Sequence, residues 1–385
     1  MMEPAPIEHL SVLRAKGGAD VDREIYAFKD KGGRDVGLRF DLTVGMTRYV
    51  CGRRDLKPPV KLASLAGAWR YDEPQHARYR WFRQWDLEIF GPQSLEADAE
   101  VIEATSRLFE RLGLEKFKLK VGDRGVVQDF VNHVLGIQSE DSALEIMRAL
   151  DKVQKRSLGE LKAEDTKKGF KARDVEGLFE FGRISGSPRK VLSSLAEQKV
   201  DSSALGLLAD LLSDRGVKGV EFDIGVVRGL DYYTGVVFEI IDGLHPELGS
   251  LAGGGRYDLL PAAFGRPDLS ATGAAGGMER IALSLTSGSG SVSRLVYVAV
   301  ANKTARKEAM KVLSEVRANG LPAESALHEK ALARQLEDAS SMGAAWVIIL
   351  GDREIEAKRV TLRDMKRRKE EFLPMKDALG RLKST

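Results

Sequence analysis

Lys61-Leu-Ala-Ser-Leu-Ala-Gly-Ala-Trp-Arg-Tyr71 and Arg80-Trp-Phe-Arg-Gln-Trp-Asp-Leu-Glu-Ile-Phe90 are two strand-like runs joined by Asp72-Glu-Pro-Gln-His-Ala-Arg-Tyr79. The connection is longer than a tight turn, so the pair reads as an antiparallel hairpin with a working loop. Along the second strand a period of two puts Phe82, Gln84, Asp86 and Glu88 on one face. Trp81, Trp85, Leu87 and Ile89 fall on the other, the expected core face. The polar row reads either as the solvated side of an antiparallel sheet or as the lining of a site. Composition favours the site: Gln, Asp and Glu are poor strand formers, and Arg70, Arg78, Arg80 and Arg83 crowd the same hairpin. That mixture suits a ligand carrying both charges. Ser94 then caps a predicted helix with Glu96, Asp98 and Glu100 in its first turns, ending at Gly113.

Three further segments combine glycines with charged or aromatic side chains. Arg228-Gly-Leu-Asp-Tyr-Tyr233 interrupts two apolar strands. Ala252-Gly-Gly-Gly-Arg-Tyr-Asp258 lets a backbone approach a ligand, but lacks the Lys-Ser/Thr pair of a phosphate-cradling loop. Thr272-Gly-Ala-Ala-Gly-Gly-Met-Glu-Arg280 sets small residues before a helix. Each also has a plain structural reading, as a hairpin turn with packed tyrosines or as a glycine strand packed closely on a helix.

The chain has 385 residues, which favours two or three domains. Ser287-Gly-Ser-Gly-Ser-Val-Ser293 is a polar linker. Beyond it, strand patterns at 295–300 and 345–350 alternate with helical ones at 304–319 and through Leu332, Leu336 and Ala339, predicting a small α/β domain around a mainly parallel sheet. From Gly122 to Arg215 helical patterns dominate, joined by charged stretches such as Lys162–Lys168, and read as an insertion between two parts of one sheet.

The net charge of +3 is unevenly spread. From Ser293 onward 19 Lys/Arg face 13 Asp/Glu, a net of +6, which leaves −3 for the rest and suits a C-terminal domain touching a polyanion or one with a basic solvated face. No run approaches the length of a membrane span, the lone Cys51 cannot pair within the chain, and no signal-peptide pattern opens it, so a cytoplasmic setting is expected. The five histidines are too scattered for a protein-ligated metal site.

Arg70 with its loop, Arg228-Gly-Leu-Asp-Tyr-Tyr233, Ala252-Gly-Gly-Gly-Arg-Tyr-Asp258 and Gly277-Met-Glu-Arg280, in this order, resemble class II aminoacyl-tRNA synthetases, specifically the histidyl-tRNA synthetase family. The hairpin looks like the family's motif 2, the last segment like motif 3, and the middle two like the signature motifs of the histidine enzymes. Leu38-Arg-Phe-Asp-Leu-Thr43 resembles the amino-acid-binding segment, and the region after Ser293 the class IIa anticodon-binding domain. Met1-Met-Glu-Pro-Ala-Pro6 resembles the tail of motif 1, so the usual N-terminal helix and most of that motif are expected to be either missing or encoded upstream of a misplaced start.

The resemblance implies an α+β fold: a six-stranded antiparallel class II sheet with flanking helices, a helical insertion domain and a C-terminal α/β anticodon-binding domain. Its implied boundaries are residues 1–120 and 218–287 for the two parts of the catalytic domain, 121–217 for the insertion and 293–385 for the anticodon domain. It implies an ATP- and Mg2+-dependent histidine-tRNA ligase with L-histidine and tRNA(His) as substrates. It also implies a homodimer, although the motif 1 that forms the interface is mostly outside this sequence.

By resemblance, Arg70, Arg228 and Arg280 are catalytic. With Asp72, Arg78 and Phe82 they bind ATP, Arg70 and Arg228 at the α-phosphate, Arg78 and Arg280 at the distal phosphates, and adenine between Phe82 and Arg280. Asp41, Thr43 and Gln84 hold the histidine α-amino group. Glu88 and Tyr233 bond the two imidazole nitrogens, with Tyr232 and Tyr257 in the same pocket. A neutral imidazole offers one donor and one acceptor, which a carboxylate and a phenol can read together. Two other functions suit the same architecture, a regulatory subunit of histidine biosynthesis and a non-catalytic tRNA-binding or sensor protein.

Overall fold

The computed structural model describes residues 1–16, 21–73, 77–91, 93–114, 116–153, 156–226, 232–286 and 295–383. It has two compact units, Met1–Gly288 and Ser289–Thr385. In the first, β1 (Ile7–His9), β2 (Ala27–Lys29) and β3 (Asp35–Leu38) make a small antiparallel sheet in the order β1-β3-β2. From β3 the chain passes through Asp41 into the Thr43–Gly52 helix, most of which is buried.

The main sheet is built from β4 (Val60–Trp69), β5 (Trp81–Gly91), β6 (Phe117–Asp123), β7 (Ser185–Gly186), β8 (Val220–Asp223), β9 (Val236–Asp242), β10 (Ser250–Arg256) and β11 (Ser270–Gly277). Their spatial order is β4-β5-β11-β10-β9-β6-β8-β7. The first six are antiparallel throughout, whereas β8 runs parallel to β6 and β7 antiparallel to β8. The expected six-stranded antiparallel sheet is thus the larger part of a mixed, eight-stranded one. The cause is the helical segment: it leaves β6, crosses over through helices and returns beside it, and a long crossover delivers a parallel strand.

That segment shares its apolar core with the sheet. Phe238 and Ile240 of β9 belong to one cluster with Phe130, Phe181 and Leu208, the first two rings of the helical segment stacking 3.8 Å apart. The Lys162–Lys168 stretch, read from sequence as a connection, instead lies in the Leu158–Asp165 helix and the turn after it. A reciprocal cap between Ser157 and Glu160 starts this helix, and Lys168 ion-pairs with Glu145 and Asp165. Its charge therefore faces partners that the sequence pattern did not place.

The β4–β5 hairpin and the Leu95–Arg111 helix form where expected, the helix capped by the Ser94 side chain. The two faces of β5 differ from the simple alternation. Trp81, assigned to the core, is 54% exposed and lies over Gly67, where a Cβ would come within 2.6 Å of the indole nitrogen. Conversely the polar face is sealed: Gln84, Asp86 and Glu88 are all at most 4% exposed, so it is no solvated side.

In the second unit β12 (Val296–Val300), β13 (Ala323–Ser325), β14 (Trp346–Leu350), β15 (Val360–Asp364) and β16 (Lys369–Leu373) are ordered β13-β12-β14-β15-β16. β12 is parallel to both neighbours, joined to them through the Arg306–Ala318 and Leu332–Ser341 helices. β15 and β16 add an antiparallel hairpin, which makes the sheet mixed rather than mainly parallel. No helix among the described residues is long and apolar enough to cross a membrane.

Candidate active site

The row on β5 is the centre of the site. Asp86 is 1% exposed and holds two neighbours, accepting from the Thr43 hydroxyl at 3.2 Å and from Gln84 Nε2 at 2.9 Å. Asp41 lies in the same buried segment as Thr43, its carboxylate accepting from the Val44 amide at 3.3 Å as the helix begins. Glu88, two residues on, accepts from the Tyr257 hydroxyl.

The space for the Glu88 carboxylate comes from a glycine. Gly273 on β11 is its direct cross-strand partner, and a Cβ there would lie 1.6 Å from Glu88 Oε2. No side-chain adjustment short of moving the carboxylate relieves such a contact.

Three tyrosines stand around it. Tyr232 stacks on Tyr257 with centroids 5.0 Å apart, and meets Tyr233 edge-on at 4.9 Å. Burial pushes all three phenols above the ordinary tyrosine range, and the negative charge of Glu88 pushes them further. Asp41 and Asp86 act on Tyr232 and Tyr233 in the same direction, so the phenols keep their protons and stay available as donors. The pocket thus combines carboxylates with neutral hydroxyl donors.

Gln84 also lines an adjoining cavity of about 380 Å³ bordered by Arg70, Asp72, Arg78, Phe82 and Arg280. Arg70 donates to the Phe40 carbonyl at 3.0 Å and stands over the Phe82 ring, 5.1 Å from its centroid. Arg280 reaches across to the carbonyls of Ala77 and Ser250, at 3.0 and 3.1 Å. Arg78 is held by Asp72 through two hydrogen bonds of 2.8 Å, so Asp72 aims a cation here. Glu279 accepts from the Arg83 amide through Oε1 at 2.9 Å, while its buried Oε2 has no hydrogen-bond partner among the described residues. No group of three or more His, Cys, Asp or Glu side chains able to hold a metal occurs among the described residues.

Of the candidate residues, the structure brings Arg70, Asp72, Arg78, Phe82, Gln84 and Arg280 to the cavity. It joins Thr43 to Gln84 through Asp86, and Glu88 to Tyr257, Tyr232 and Tyr233. Arg228 lies outside the described residues. Sequence reasoning put Asp86 on the right face and picked out the segment with Gly273 and Glu279, but gave none of the three a task. The period of two was the available signal for Asp86; none marked Gly273 among so many glycines.

The family model described as Histidyl-tRNA synthetase matches residues 1–281, and that described as Anticodon binding domain matches residues 295–385. The histidine-tRNA ligase of Thermococcus kodakarensis is 35% identical over 374 residues, covering 93% of this chain and 85% of that protein. The chain belongs to the histidyl-tRNA synthetase family. The Pyrococcus horikoshii histidine-tRNA ligase is similarly 35% identical, over 98% of this chain and 89% of its own length. The crystal structure of histidyl-tRNA synthetase from Nostoc sp. PCC 7120 superposes over the whole chain and 90% of that structure, with a TM-score of 0.81 at 25% identity. The fold is therefore that of a class II synthetase with a C-terminal anticodon-binding domain, and the chain is a ligase of the aminoacyl-tRNA synthetase type.

Proposed function

We propose that this histidine-tRNA ligase activates histidine with ATP in the described pocket and cavity, then charges tRNA(His). Gln84 carries the reading, because it is at once bonded within the carboxylate row and part of the arginine-bordered cavity. An α-ammonium held by Asp41, Thr43 and Gln84 leaves the amino acid's carboxylate facing the cavity. Its oxygen attacks the α-phosphorus of ATP as the bond to pyrophosphate breaks, giving histidyl-adenylate. The terminal ribose hydroxyl of the tRNA then attacks the acyl carbon and AMP leaves.

Such a step needs positioning and charge neutralisation more than covalent help. Arg70 and, by its motif, Arg228 neutralise the α-phosphate; Arg78 and Arg280 take the distal phosphates, with adenine against Phe82 and Arg280. Glu279 lines the cavity and, through an Oε2 with no hydrogen-bond partner among the described residues, would hold Mg2+ together with the phosphates, where the ion would supply charge neutralisation; Asp72, both of whose oxygens hold Arg78, would act only through that cation. Glu88 accepts the imidazole N–H, steadied by Tyr257, and the proton-bearing Tyr233 donates to the other nitrogen. Histidine-dependent exchange of pyrophosphate into ATP tests the activity as a whole, since neither a regulatory subunit nor a sensor supports it.

Two further results are expected. Glu88→Gln removes a charge-assisted acceptor from a sealed pocket, a bond worth about 1.5–3 kcal/mol. Histidine affinity should fall roughly tenfold to a hundredfold with ATP affinity nearly constant. Calorimetric titration of both ligands checks it, and unchanged histidine binding removes Glu88 from the site. Deletion from Ser293 onward takes away the net +6 unit. Aminoacylation and salt-sensitive tRNA binding should be lost while pyrophosphate exchange persists; equal loss of both activities would assign that unit a structural role. Family membership extends the proposal to a homodimer working in the cytoplasm, the former checked by sedimentation equilibrium.

A further inference from the structure

Asp86 belongs to none of the roles above, yet it is the common partner of two groups proposed to hold the α-ammonium. A glutamine amide has donors at one end and lone pairs at the other. An ammonium is donor-only, so Gln84 can receive it through Oε1 alone. Asp86, as a carboxylate, is acceptor-only and takes Gln84 Nε2 at 2.9 Å, which turns Oε1 the other way. Thr43 is set by the same logic: its single hydroxyl hydrogen goes to Asp86 at 3.2 Å, leaving oxygen lone pairs for the ligand. The two bonds use different oxygens of one carboxylate that is 1% exposed, so neither can slacken without the other's anchor moving.

We infer that Asp86 is a positioning residue for amino-acid recognition, fixing Gln84 and Thr43 as acceptors and adding a second negative charge beside Asp41 for the α-ammonium. This rests on the reading that Thr43 and Gln84 hold that ammonium. Asp86 is given no contact with the imidazole or the phosphates, and its charge on Tyr232 and Tyr233 is secondary to their burial, so its main effect falls on selectivity for the amino group. An asparagine in its place offers an amide that bonds Gln84 from either end and releases the hydroxyl of Thr43; an alanine releases both.

The test compares L-histidine with 3-(imidazol-4-yl)propionate, which lacks the amino group, by titration calorimetry on the full chain, its Asp86→Asn and its Asp86→Ala variants. The parent should prefer histidine by about thirtyfold or more, from several charge-assisted bonds acting together. In both variants the preference should collapse to within about threefold, with affinities for the analogue and for ATP within about twofold of the parent. A merely structural role would lower all three affinities together, and that outcome in both variants overturns the inference. A parent preference retained in the variants overturns it as well, while leaving the ammonium site intact. A parent with no preference at all sinks the reading of Thr43 and Gln84 first, and Asp86 with it.

Discussion

Gly273→Ala is expected to abolish high-affinity histidine binding. The added methyl would lie 1.6 Å from Glu88 Oε2, 2.5 Å from its Cδ and 2.8 Å from the carbonyl oxygen of Leu87. The carboxylate is the movable member of that set and must leave its place, giving up the bond from Tyr257 in a pocket where Glu88 is 2% exposed. The loss should therefore reach at least that of Glu88→Gln, on the order of a hundredfold, with an overpacking cost of about 1–3 kcal/mol in stability. ATP should still bind, because the cavity residues of β11 are Ala275, Gly276 and Gly277, farther along the strand. Titrating both ligands, together with a thermal melt, checks this. Glu88→Asp in the same chain shortens the side chain by one methylene and should recover part of the histidine affinity, since it withdraws the atoms that collide. A Gly273→Ala protein that binds histidine like its parent would show that the Glu88 carboxylate is not where the imidazole is read.

Arg256→Met should produce the largest loss of stability. Arg256 is 5% exposed and donates from Nη2 to Asp98 Oδ2 at 2.7 Å and from Nε to the same oxygen at 3.1 Å, with further bonds to Ser94 and Asp258. Asp98, at 1% exposure, already has its carboxyl pushed up by burial and drawn back by this guanidinium. Methionine keeps the stem but strands the carboxylate, a change that typically costs about 3–5 kcal/mol. For a unit of this size the melting temperature should drop by on the order of 5–10 °C. Asp98→Leu in the same chain should restore most of it, because replacing both partners removes the stranded charge. A drop of less than a degree would mean that Asp98 simply takes up a proton. Since Arg256 precedes Tyr257 on the chain, histidine affinity in the single variant reports whether the anchor also steadies that phenol.

Much of the architecture is written locally. The strand over Arg80–Phe90, the Ser94 cap and the strand-helix rhythm after Leu295 each depend on contacts within a few residues, and all three reappear in the structure, although the burial along β5 departs from strict alternation at Trp81. Two of the glycine-rich segments lie on the adjacent strands β10 and β11. The charges on the β4–β5 hairpin already pointed to binding anionic and cationic groups together, while histidine and ATP came only with the family resemblance. Alternation, however, is identical for a solvated and a sealed polar face. The row's partners lie far off, Thr43 at the start of a helix 43 residues before Asp86 and Tyr257 169 residues beyond Glu88, and no local pattern carries contacts at such separations.

The same reason accounts for the rest. β8 is parallel because of where a crossover returns, Trp81 lies exposed over Gly67, and the helix through Lys162 starts at a Ser157–Glu160 cap while Lys168 pairs with Glu145, 23 residues away. By itself the sequence determined the element types, their order and the side chains available for chemistry. The tertiary structure alone decided which carboxylate is pinned by which phenol, which glycine makes room for it, and which two side chains Asp86 holds. Those are properties of packing between strands far apart in the chain, where a missing Cβ at Gly273 matters only because Glu88 lies across from it.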